Sequence, residues 1–389
     1  MTIQYTVHQV TYWAAAAGVV SFATAFLLGK GFAPATVGAM LAAGNLLSCA
    51  AQPMLANFAD RTGGNVLKWM TAALTAVCIF AFGAVQLLPL SRLLFGALYL
   101  LGVFALDAMM PLMNALSVSY MENGYRLNYG VSRGIGSLGY SLSALLIGKL
   151  MARWGIEWMI WVSLALLVMN VLVVLAYPAL PTVHRERGAA APECCTIGEF
   201  FVKYRWYCFS LVGVMLLAMF HAMTENYLIE VVRPLGGDSG SVGVALFIAT
   251  AVEMLVLLGF ERLRRHIRDT WLLKIAGLSF LVKAVLLLLA PSVTAIYLIQ
   301  LLQATSYTFL SPTQMYYARG RISMADMVKG QAFITASYTL GCAIGNFVGG
   351  QILQHFSVPA MLLSGVVMAA LGTAVLFLTV ERRDVQGAE

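Results

Sequence analysis

The chain has 389 residues, of which 60% are hydrophobic and 11% are charged, and its formal net charge is +7. Soluble domains average roughly 45–50% apolar and about 25% charged residues, so this composition excludes a water-soluble fold. The positive charge lies mainly in loops between apolar segments, and we therefore expect no nucleic-acid partner.

Apolar stretches long enough to cross a bilayer follow one another along the chain. A hydrocarbon core about 30 Å thick needs about 20 such residues per helix, and the alternating pattern of membrane β-strands is absent from the sequence. We therefore predict an all-α membrane protein with twelve transmembrane helices. They cover residues 9–29, 36–56, 67–88, 93–117, 131–151, 158–178, 207–231, 242–260, 271–290, 293–316, 331–353 and 358–380.

One longer polar segment divides the chain into two groups of six helices. Residues 180–206 contain proline and several charged side chains, whereas the other loops are mostly short. We predict an N-terminal six-helix bundle over 1–179, a cytoplasmic linker over 180–206 and a C-terminal six-helix bundle over 207–389. Such a plan is typical of transporters that bind their substrate between two bundles near the bilayer midplane.

The basic residues predict the orientation of the helices. With the N-terminus inside, 17 of the 24 Lys and Arg residues fall in cytoplasmic segments and five in outer loops. This asymmetry predicts that both termini are cytoplasmic. No cleavage site precedes the second helix, so we expect the first helix to be retained in a multi-pass protein of a bacterial-type inner membrane.

No motif predicts catalysis, a cofactor or a metal. The sequence lacks His-Glu-x-x-His, Gly-x-Ser-x-Gly and a phosphate-binding loop, so we do not expect an enzyme. Cys194 and Cys195 are adjacent in the linker, but no His or second Cys pair stands at ligand spacing. We expect two reduced thiols there, and neither a metal nor a cofactor.

Two glycine patterns are interpreted as helix-packing surfaces. Gly134, Gly136 and Gly139 spell Gly-x-Gly-x-x-Gly, but this pattern opens a membrane helix and no strand precedes it, so a dinucleotide site is not expected. A second series of small residues runs from Gly341 to Gly349 in the eleventh helix. Small residues at a spacing of four allow membrane helices to approach closely.

Ionisable residues inside the predicted helices are candidates for function. A charge at the bilayer centre costs about 2.5–3.5 kcal/mol, so such side chains are expected to face a cavity or one another. The five residues are Asp107, Arg133, Glu225, Glu253 and Lys283. His221 lies one helical turn from Glu225 and could share its proton or bind substrate. Structural alternatives stay open, because Arg133 could extend to the cytoplasmic interface and Asp107 could serve packing.

The segment after the second helix resembles the loop signature of the major facilitator superfamily. That signature is Gly-x-x-x-Asp-Arg-x-Gly followed by basic residues, and this chain has Asp60, Arg61 and Gly63 at its core. The resemblance implies a gating loop that works as a charged latch between neighbouring helices. Asp60 could cap a helix N-terminus or pair with a base. Ala56 replaces the first glycine of the signature.

Four further segments resemble the lactose permease and phenylpropionate permease branch of that superfamily. They are residues 51–55, 129–140, 250–255 and 277–283, and the similarity covers nearly the whole chain in order. The resemblance implies two bundles that alternate in access to the two sides of the membrane. It also implies proton-coupled symport of a sugar or a related solute.

The resemblance assigns roles to single residues. It implies that Arg133 is the sugar-binding arginine, that Tyr140 stands for an aromatic ring stacking on the sugar, and that Glu253 is an essential acid. Lys283 replaces an arginine near the proton site, and Asn114 replaces the acidic partner of the sugar-binding arginine. The aromatic residues of the first helix, such as Trp13, are interpreted as packing or interface residues.

The tenth helix departs from the family pattern. Gln300, Gln303 and Ser306 occupy positions where the family carries lysine, histidine and glutamate. We therefore do not expect lactose as the substrate, and we expect a different proton carrier.

These observations predict a secondary active transporter. The predicted substrate-binding residues are Arg133, Asn114, Tyr140, His221 and Glu253. The predicted proton-coupling residues are Glu253, Glu225, Lys283 and Asp107. The expected substrate is a small polar solute, first a sugar or glycoside and second an aromatic or other organic acid, which is carried with protons. Proton-antiport efflux of a drug or metabolite stays an alternative, as does a membrane receptor or scaffold, and we expect a monomer in the lipid bilayer.

Overall fold

The computed structural model describes residues 1–61, 64–180, 196–323 and 326–382. Within these ranges the chain is helical and contains no β-strand. The α-helices are α1 (Thr2–Val19), α2 (Ala23–Gly29), α3 (Pro34–Arg61), α4 (Gly64–Leu87), α5 (Arg92–Glu122), α6 (Tyr129–Trp154), α7 (Trp158–Leu175), α8 (Ile197–Lys203), α9 (Arg205–Asn226), α10 (Leu228–Val232), α11 (Ser239–Arg264), α12 (Asp269–Leu288), α13 (Val293–Gln300), α14 (Tyr307–Arg319), α15 (Met327–His355) and α16 (Val358–Thr379).

The predicted all-α membrane architecture is confirmed. Over the described ranges, eleven segments are long and apolar enough to cross a membrane, and the bent pair of α1 and α2 supplies a twelfth. Each segment lies where the sequence predicts a span, although several helices extend beyond the predicted ends. The longest, α5, has 31 residues and contains Pro111.

The first span bends by 40° between α1 and α2. The bend frees the carbonyl of Val19 from the helical pattern, and the buried Tyr99 hydroxyl donates a hydrogen bond of 2.6 Å to it. Because a freed carbonyl inside a membrane protein has no access to bulk water, this partner stabilises the bend. The bend also places Ser21 between the two helices.

The tenth span is broken in its middle. Between α13 and α14 the chain forms a 3-10 helix over Leu301–Ala304 and then resumes helical geometry at Tyr307. The Thr308 hydroxyl donates a 2.7 Å hydrogen bond to the backbone carbonyl of Gln303. This bond satisfies one carbonyl that the break removes from the α-helical ladder.

Glycines of α15 allow it to approach α9 closely. A Cβ atom added at Gly341 would lie 2.4 Å from the carbonyl oxygen of Met215, and one added at Gly345 would lie 2.3 Å from that of Met219. At Gly349 the nearest atom would be the Cγ of Met223, at 2.8 Å. The close helix approach that the sequence predicts for this series is confirmed.

The chain forms two compact units. One unit consists of Met1–Phe32, Ala43–Gly188 and Gly237–Phe247. The other consists of Ala33–Ala42, Ala189–Gly236 and Ile248–Glu389. We call them the first and the second unit. The bundle and linker boundaries at 179 and 207 stay a prediction, as does the location of the termini.

Candidate functional site

Arg133 of the first unit lies against an aromatic ring. Its guanidinium carbon is 4.0 Å from the ring centroid of Trp13 on α1, and its Nη1 donates a 2.8 Å hydrogen bond to Ser137 Oγ. Trp13 Nε1 donates to Gln9 Oε1 over 3.0 Å, and Gln9 Nε2 donates to the Tyr5 hydroxyl over 2.7 Å. Within the described chain, the guanidinium is thus oriented by cation–π contact and retains donors for a ligand.

Glycines bring α6 and α1 together at this position. A Cβ atom at Gly136 would lie 3.1 Å from Trp13 Cδ1, and one at Gly139 would lie 2.9 Å from Val10 Cγ1. A Cβ atom at Gly134 would meet nothing within 4 Å. Two glycines of the Gly-x-Gly-x-x-Gly pattern therefore form the predicted helix-packing surface.

Tyr140 and Asn114 hydrogen-bond to other residues of the first unit. The Tyr140 hydroxyl lies 2.5 Å from Ser21 Oγ, at the bend of the first span. Asn114 Oδ1 accepts a 3.1 Å hydrogen bond from the Tyr129 hydroxyl. The described contacts include none between Asn114 and Arg133. Tyr140 is half-buried, and both side chains are held in place by hydroxyl groups.

Asp107 lies between two helices of the first unit. Its Oδ2 accepts a 2.9 Å hydrogen bond from the hydroxyl of Ser48 on α3, whose side chain is buried. Among the described residues, no lysine or arginine forms an ion pair with Asp107. The carboxyl group is therefore solvated by a hydroxyl group instead of a base, and protonation would neutralise it without stranding a cation.

Glu225 and Lys283 form a buried ion pair in the second unit. Lys283 Nζ on α12 donates to Glu225 Oε1 on α9 over 3.0 Å, and the side chains are 1% and 17% exposed. Lys283 Nζ also donates to Gln303 Oε1 over 2.9 Å, and the Gln300 side chain lies near enough to interact with the Glu225 carboxylate. The expected cost of a lone charge explains why these two residues face each other.

His221 lies one turn from Glu225 and stacks on a tyrosine. Its ring centroid is 5.0 Å from that of Tyr307, and the two planes differ by 8°. Tyr307 in turn contacts the ring of Tyr338, at 5.9 Å between centroids. Among the described residues, no hydrogen bond joins His221 to Glu225. The Nδ1 atom of His221 is buried without a partner in the described chain.

Glu253 is half-buried on α11. Tyr307 lies near enough to interact electrostatically with its carboxylate. The ring of Tyr307 thus contacts His221 and neighbours Glu253. With the Glu225–Lys283 pair, the second unit carries four of the predicted site residues.

The gating-loop residues are only partly described. Asp60 and Arg61 end α3, whereas their side chains and Gly63 lie outside the described residues, as do Cys194 and Cys195. Over the part of the chain that is described, no group of three His, Cys, Asp or Glu residues is arranged to hold a metal ion.

Sequence reasoning did not assign several residues of these clusters to the site. Trp13 was interpreted as a packing or interface residue, and Gln9 was not considered. Residues four apart on a helix lie on the same face, so the polar Gln9 one turn before Trp13 in an apolar span indicates that the two side chains can interact. Gln300 and Gln303 were noted as departures from a family pattern, and their spacing of three was the corresponding signal.

Comparison with known proteins decides the family. Residues 2–363 match the family model described as the MFS_1 like family. The chain belongs to this family of major facilitator transporters. It is a multi-pass membrane transporter, and its family and fold are those of a transporter, not of an enzyme.

Individual proteins resemble the whole length of this transporter. It is 26% identical over 362 residues to a maltose permease of Geobacillus stearothermophilus, with 91% of this chain and 88% of that protein covered. Its fold is similar to the crystal structure of the nucleoside transporter NupG, with a TM-score of 0.80, 14% identity, and 97% and 98% of the two chains covered. An auto-inhibited peptide transporter of the POT family has a TM-score of 0.70 at 12% identity, with 100% of this chain and 98% of that chain covered.

Proposed function

We propose that this transporter carries a small polar solute together with protons by alternating access, in a bacterial-type inner membrane. A sugar or glycoside is the first choice of substrate. The likeness to a maltose permease supports this choice, and so does the presence of polar and ionisable side chains in both units.

The observation that carries the proposal is the buried ion pair of Glu225 and Lys283, with 3.0 Å between its charged atoms. A proton that binds Glu225 removes the attraction to Lys283, and the lysine keeps Gln303 as an acceptor. Such a pair converts proton binding into a change of contacts between α9, α12 and the tenth span. Coupling needs a contact that differs in strength between two conformations, and proton binding would change this one.

In this proposal the substrate is held by Arg133, Asn114, Tyr140, His221 and Glu253. The Arg133 guanidinium has donors for sugar hydroxyls, and its stacking on Trp13 limits its freedom before binding. Aromatic rings such as Tyr140 suit the apolar face of a sugar ring.

Protonation of Glu253, or of Glu225 in its place, releases charge contacts and permits the switch between inward and outward access. Lys283 neutralises the Glu225 carboxylate until a proton binds it. Asp107 is a further proton acceptor in the first unit. Substrate and proton together lower the barrier to the switch more than either does alone.

Proton flux tests this proposal directly. Maltose, sucrose, glycosides, nucleosides and aromatic acids are added in turn to de-energised, lightly buffered cells that express the protein, and the external pH is recorded. Alkalinisation with one neutral sugar is the expected result. It is lost in Glu253→Gln or Glu225→Gln and kept in Glu230→Gln, a matched control for an exposed ion pair with Arg233.

Each alternative gives a different result. Alkalinisation with an aromatic or other organic acid alone would make the second substrate class correct. In energised cells, expulsion of a drug or metabolite that is accompanied by entry of protons, recorded as alkalinisation of the medium without uptake of the compound, would indicate antiport. Specific binding without flux of any compound, with expression verified, would indicate a receptor or scaffold and would overturn the proposal.

A further inference from the structure

The break in the tenth span lies among three polar residues, Gln300, Gln303 and Ser306. In an α-helix, residues three apart differ by about 60° in direction, whereas in a 3-10 helix side chains at positions i and i+3 eclipse. The 3-10 segment Leu301–Ala304 therefore brings Gln300 and Gln303 towards one side, and Ser306 lies between this segment and the first residue of α14. Gln303 accepts from Lys283 Nζ and Gln300 neighbours Glu225, so both amides lie on the side of the Glu225–Lys283 pair.

The orientation of the Gln300 amide follows from its partner. A carboxylate only accepts hydrogen bonds, so the NH₂ group of Gln300 is the one that suits a position facing Glu225. Its Oε1 oxygen therefore points away from the carboxylate. This oxygen is buried and has no donor within the described chain, in a residue that is 1% exposed.

Two further buried atoms beside this break lack partners. Ser306 is 0% exposed, and its Oγ makes no hydrogen bond to any described residue. The Nδ1 atom of His221, whose ring stacks on Tyr307, is also buried and makes no hydrogen bond to any described residue. Buried polar atoms in native proteins are nearly always hydrogen-bonded, so a group of them at one helix break indicates a site that another molecule completes.

The chemistry of these atoms selects the class of ligand. Gln300 Oε1 is an acceptor only, and the serine and histidine atoms can also accept. Lys283, the cation of this cluster, is already neutralised by Glu225. An anionic ligand would bring further acceptors beside a carboxylate, whereas a hydroxyl group would donate to the open oxygens.

We propose that the break between α13 and α14 is a subsite for the hydroxyl groups of a neutral polyhydroxy solute, with Gln300 Oε1 and Ser306 Oγ as its acceptors. This inference rests on the proposed transport of a sugar and sharpens it, since it disfavours an organic acid at this position. Broken helices with freed polar groups lie at the substrate sites of other transporter folds as well.

Binding to the purified full-length protein tests the subsite. Maltose, sucrose and lactose serve as neutral probes, and gluconate and 3-phenylpropionate serve as anionic probes, in calorimetric titrations. Ser306→Ala removes one acceptor at nearly constant volume, and Gln300→Met removes the other acceptor together with the NH₂ group that faces Glu225, so Ser306→Ala is the cleaner of the two site variants. Gln314→Met is the matched control, because Gln314 also has a buried oxygen without a partner in the described chain but lies further along α14.

The expected result is that at least one neutral sugar binds. Each site variant should raise its Kd about 3- to 10-fold, as loss of one neutral hydrogen bond does, whereas Gln314→Met should leave it unchanged. The Tm of the free protein should not fall in Ser306→Ala, because the variant removes a buried atom that lacked a partner. A deoxy form of that sugar that lacks the bound hydroxyl should bind the wild type more weakly. The variant that lacks the matching acceptor should bind the deoxy form and the parent sugar with the same Kd.

Other outcomes overturn the inference in distinguishable ways. If a sugar binds and both site variants keep its Kd, the open atoms are met by water and only the subsite is wrong. If an anion binds instead and the variants weaken it, the ligand class is wrong. If no neutral probe binds the wild type, the subsite and the proposed sugar transport fail together.

Discussion

Lys283 Nζ lies 3.0 Å from Glu225 Oε1, and 1% of the lysine side chain is exposed. The pair joins α12 to α9 inside a membrane-spanning region, and Gln303 provides the lysine with a second acceptor. Because the lysine is buried and only 17% of the glutamate side chain is exposed, each charge depends on the other for its stability, so removal of one partner has a different effect from removal of both.

Single substitutions of this pair should destabilise the protein more than the double substitution. Lys283→Met leaves an unpaired buried carboxylate, and we expect it to lower the free energy of unfolding by about 3–5 kcal/mol. Lys283→Met combined with Glu225→Gln should recover most of that loss. Thermal and denaturant unfolding in detergent measure the difference, with Lys149→Met as the control for an exposed lysine. Equal losses in the single and double variants would contradict the pairing.

Trp13 should govern the affinity of sugar binding through Arg133. A cation–π contact contributes roughly 0.5–2 kcal/mol, so Trp13→Ala should raise the KM of sugar uptake by about 2- to 30-fold. Trp13→Phe keeps a ring beneath the guanidinium and should have the smaller effect, although it loses the hydrogen bond to Gln9. Initial uptake rates over a range of sugar concentrations measure this. If the wild type, Trp13→Ala and Trp13→Phe had the same KM, the stacking of Arg133 on Trp13 would not contribute to substrate binding.

Gly345 should be intolerant of any side chain. A Cβ atom there would lie 2.3 Å from the Met219 carbonyl oxygen, so Gly345→Ala must push α15 away from α9. We expect a loss of about 1–3 kcal/mol in stability. Gly83→Ala is the control, since a Cβ atom at Gly83 meets nothing within 4 Å and alanine favours the helix. A Tm for Gly345→Ala at or above that of the wild type would be incompatible with the close approach.

The ion pair of Lys30 and Glu157 should contribute a small, pH-dependent stabilisation. The hydrogen bond from Lys30, 2.9 Å long, is the main cause that lowers the pKa of Glu157 from its usual value of 4.5. The contribution is therefore fully present above about pH 4.5 and is lost as the pH falls through the lowered pKa. Because the side chains are 29% and 43% exposed, we expect less than about 1 kcal/mol.

A comparison of the wild type with Glu157→Gln at two pH values measures this contribution. The Tm of the variant should be slightly lower at pH 7, and the difference should shrink as the pH is lowered from 4.5 through the lowered pKa of Glu157. A constant difference at both pH values would mean that the effect arises from packing and not from charge.

Much of the site could be predicted because charge inside a membrane is costly. Arg133, Glu225, Glu253 and Lys283 were selected from sequence on that ground, and the pairing of Glu225 with Lys283 follows the same physical rule. The partner of Arg133 was not predictable, because an aromatic ring at position 13 is compatible with packing, with an interface position and with stacking on a cation. Only the approach of α1 to α6 decides among these.

The tenth span shows the limit of prediction from local pattern. Its apolar composition predicts a continuous helix over 293–316, and the span is confirmed, but its interruption at Leu301–Ala304 is not encoded by a proline or glycine at that point. The irregular backbone is stabilised by the local hydrogen bond from Thr308 to the Gln303 carbonyl. The tertiary hydrogen bond from Lys283 to the Gln303 side chain holds the same residue in place.

The sequence by itself determined that the chain is helical, how many times it can cross a membrane and which ionisable residues deserve attention. The reason is that hydrophobic length and the cost of buried charge are properties of the covalent chain in a bilayer. The tertiary structure alone decided that Arg133 stacks on Trp13 and that Glu225 pairs with Lys283. It also decided that Gln300 Oε1 and Ser306 Oγ are buried without a hydrogen-bond partner among the described residues. These relationships depend on which helices pack together, because a hydrogen bond or an ion pair exists only over a few ångströms.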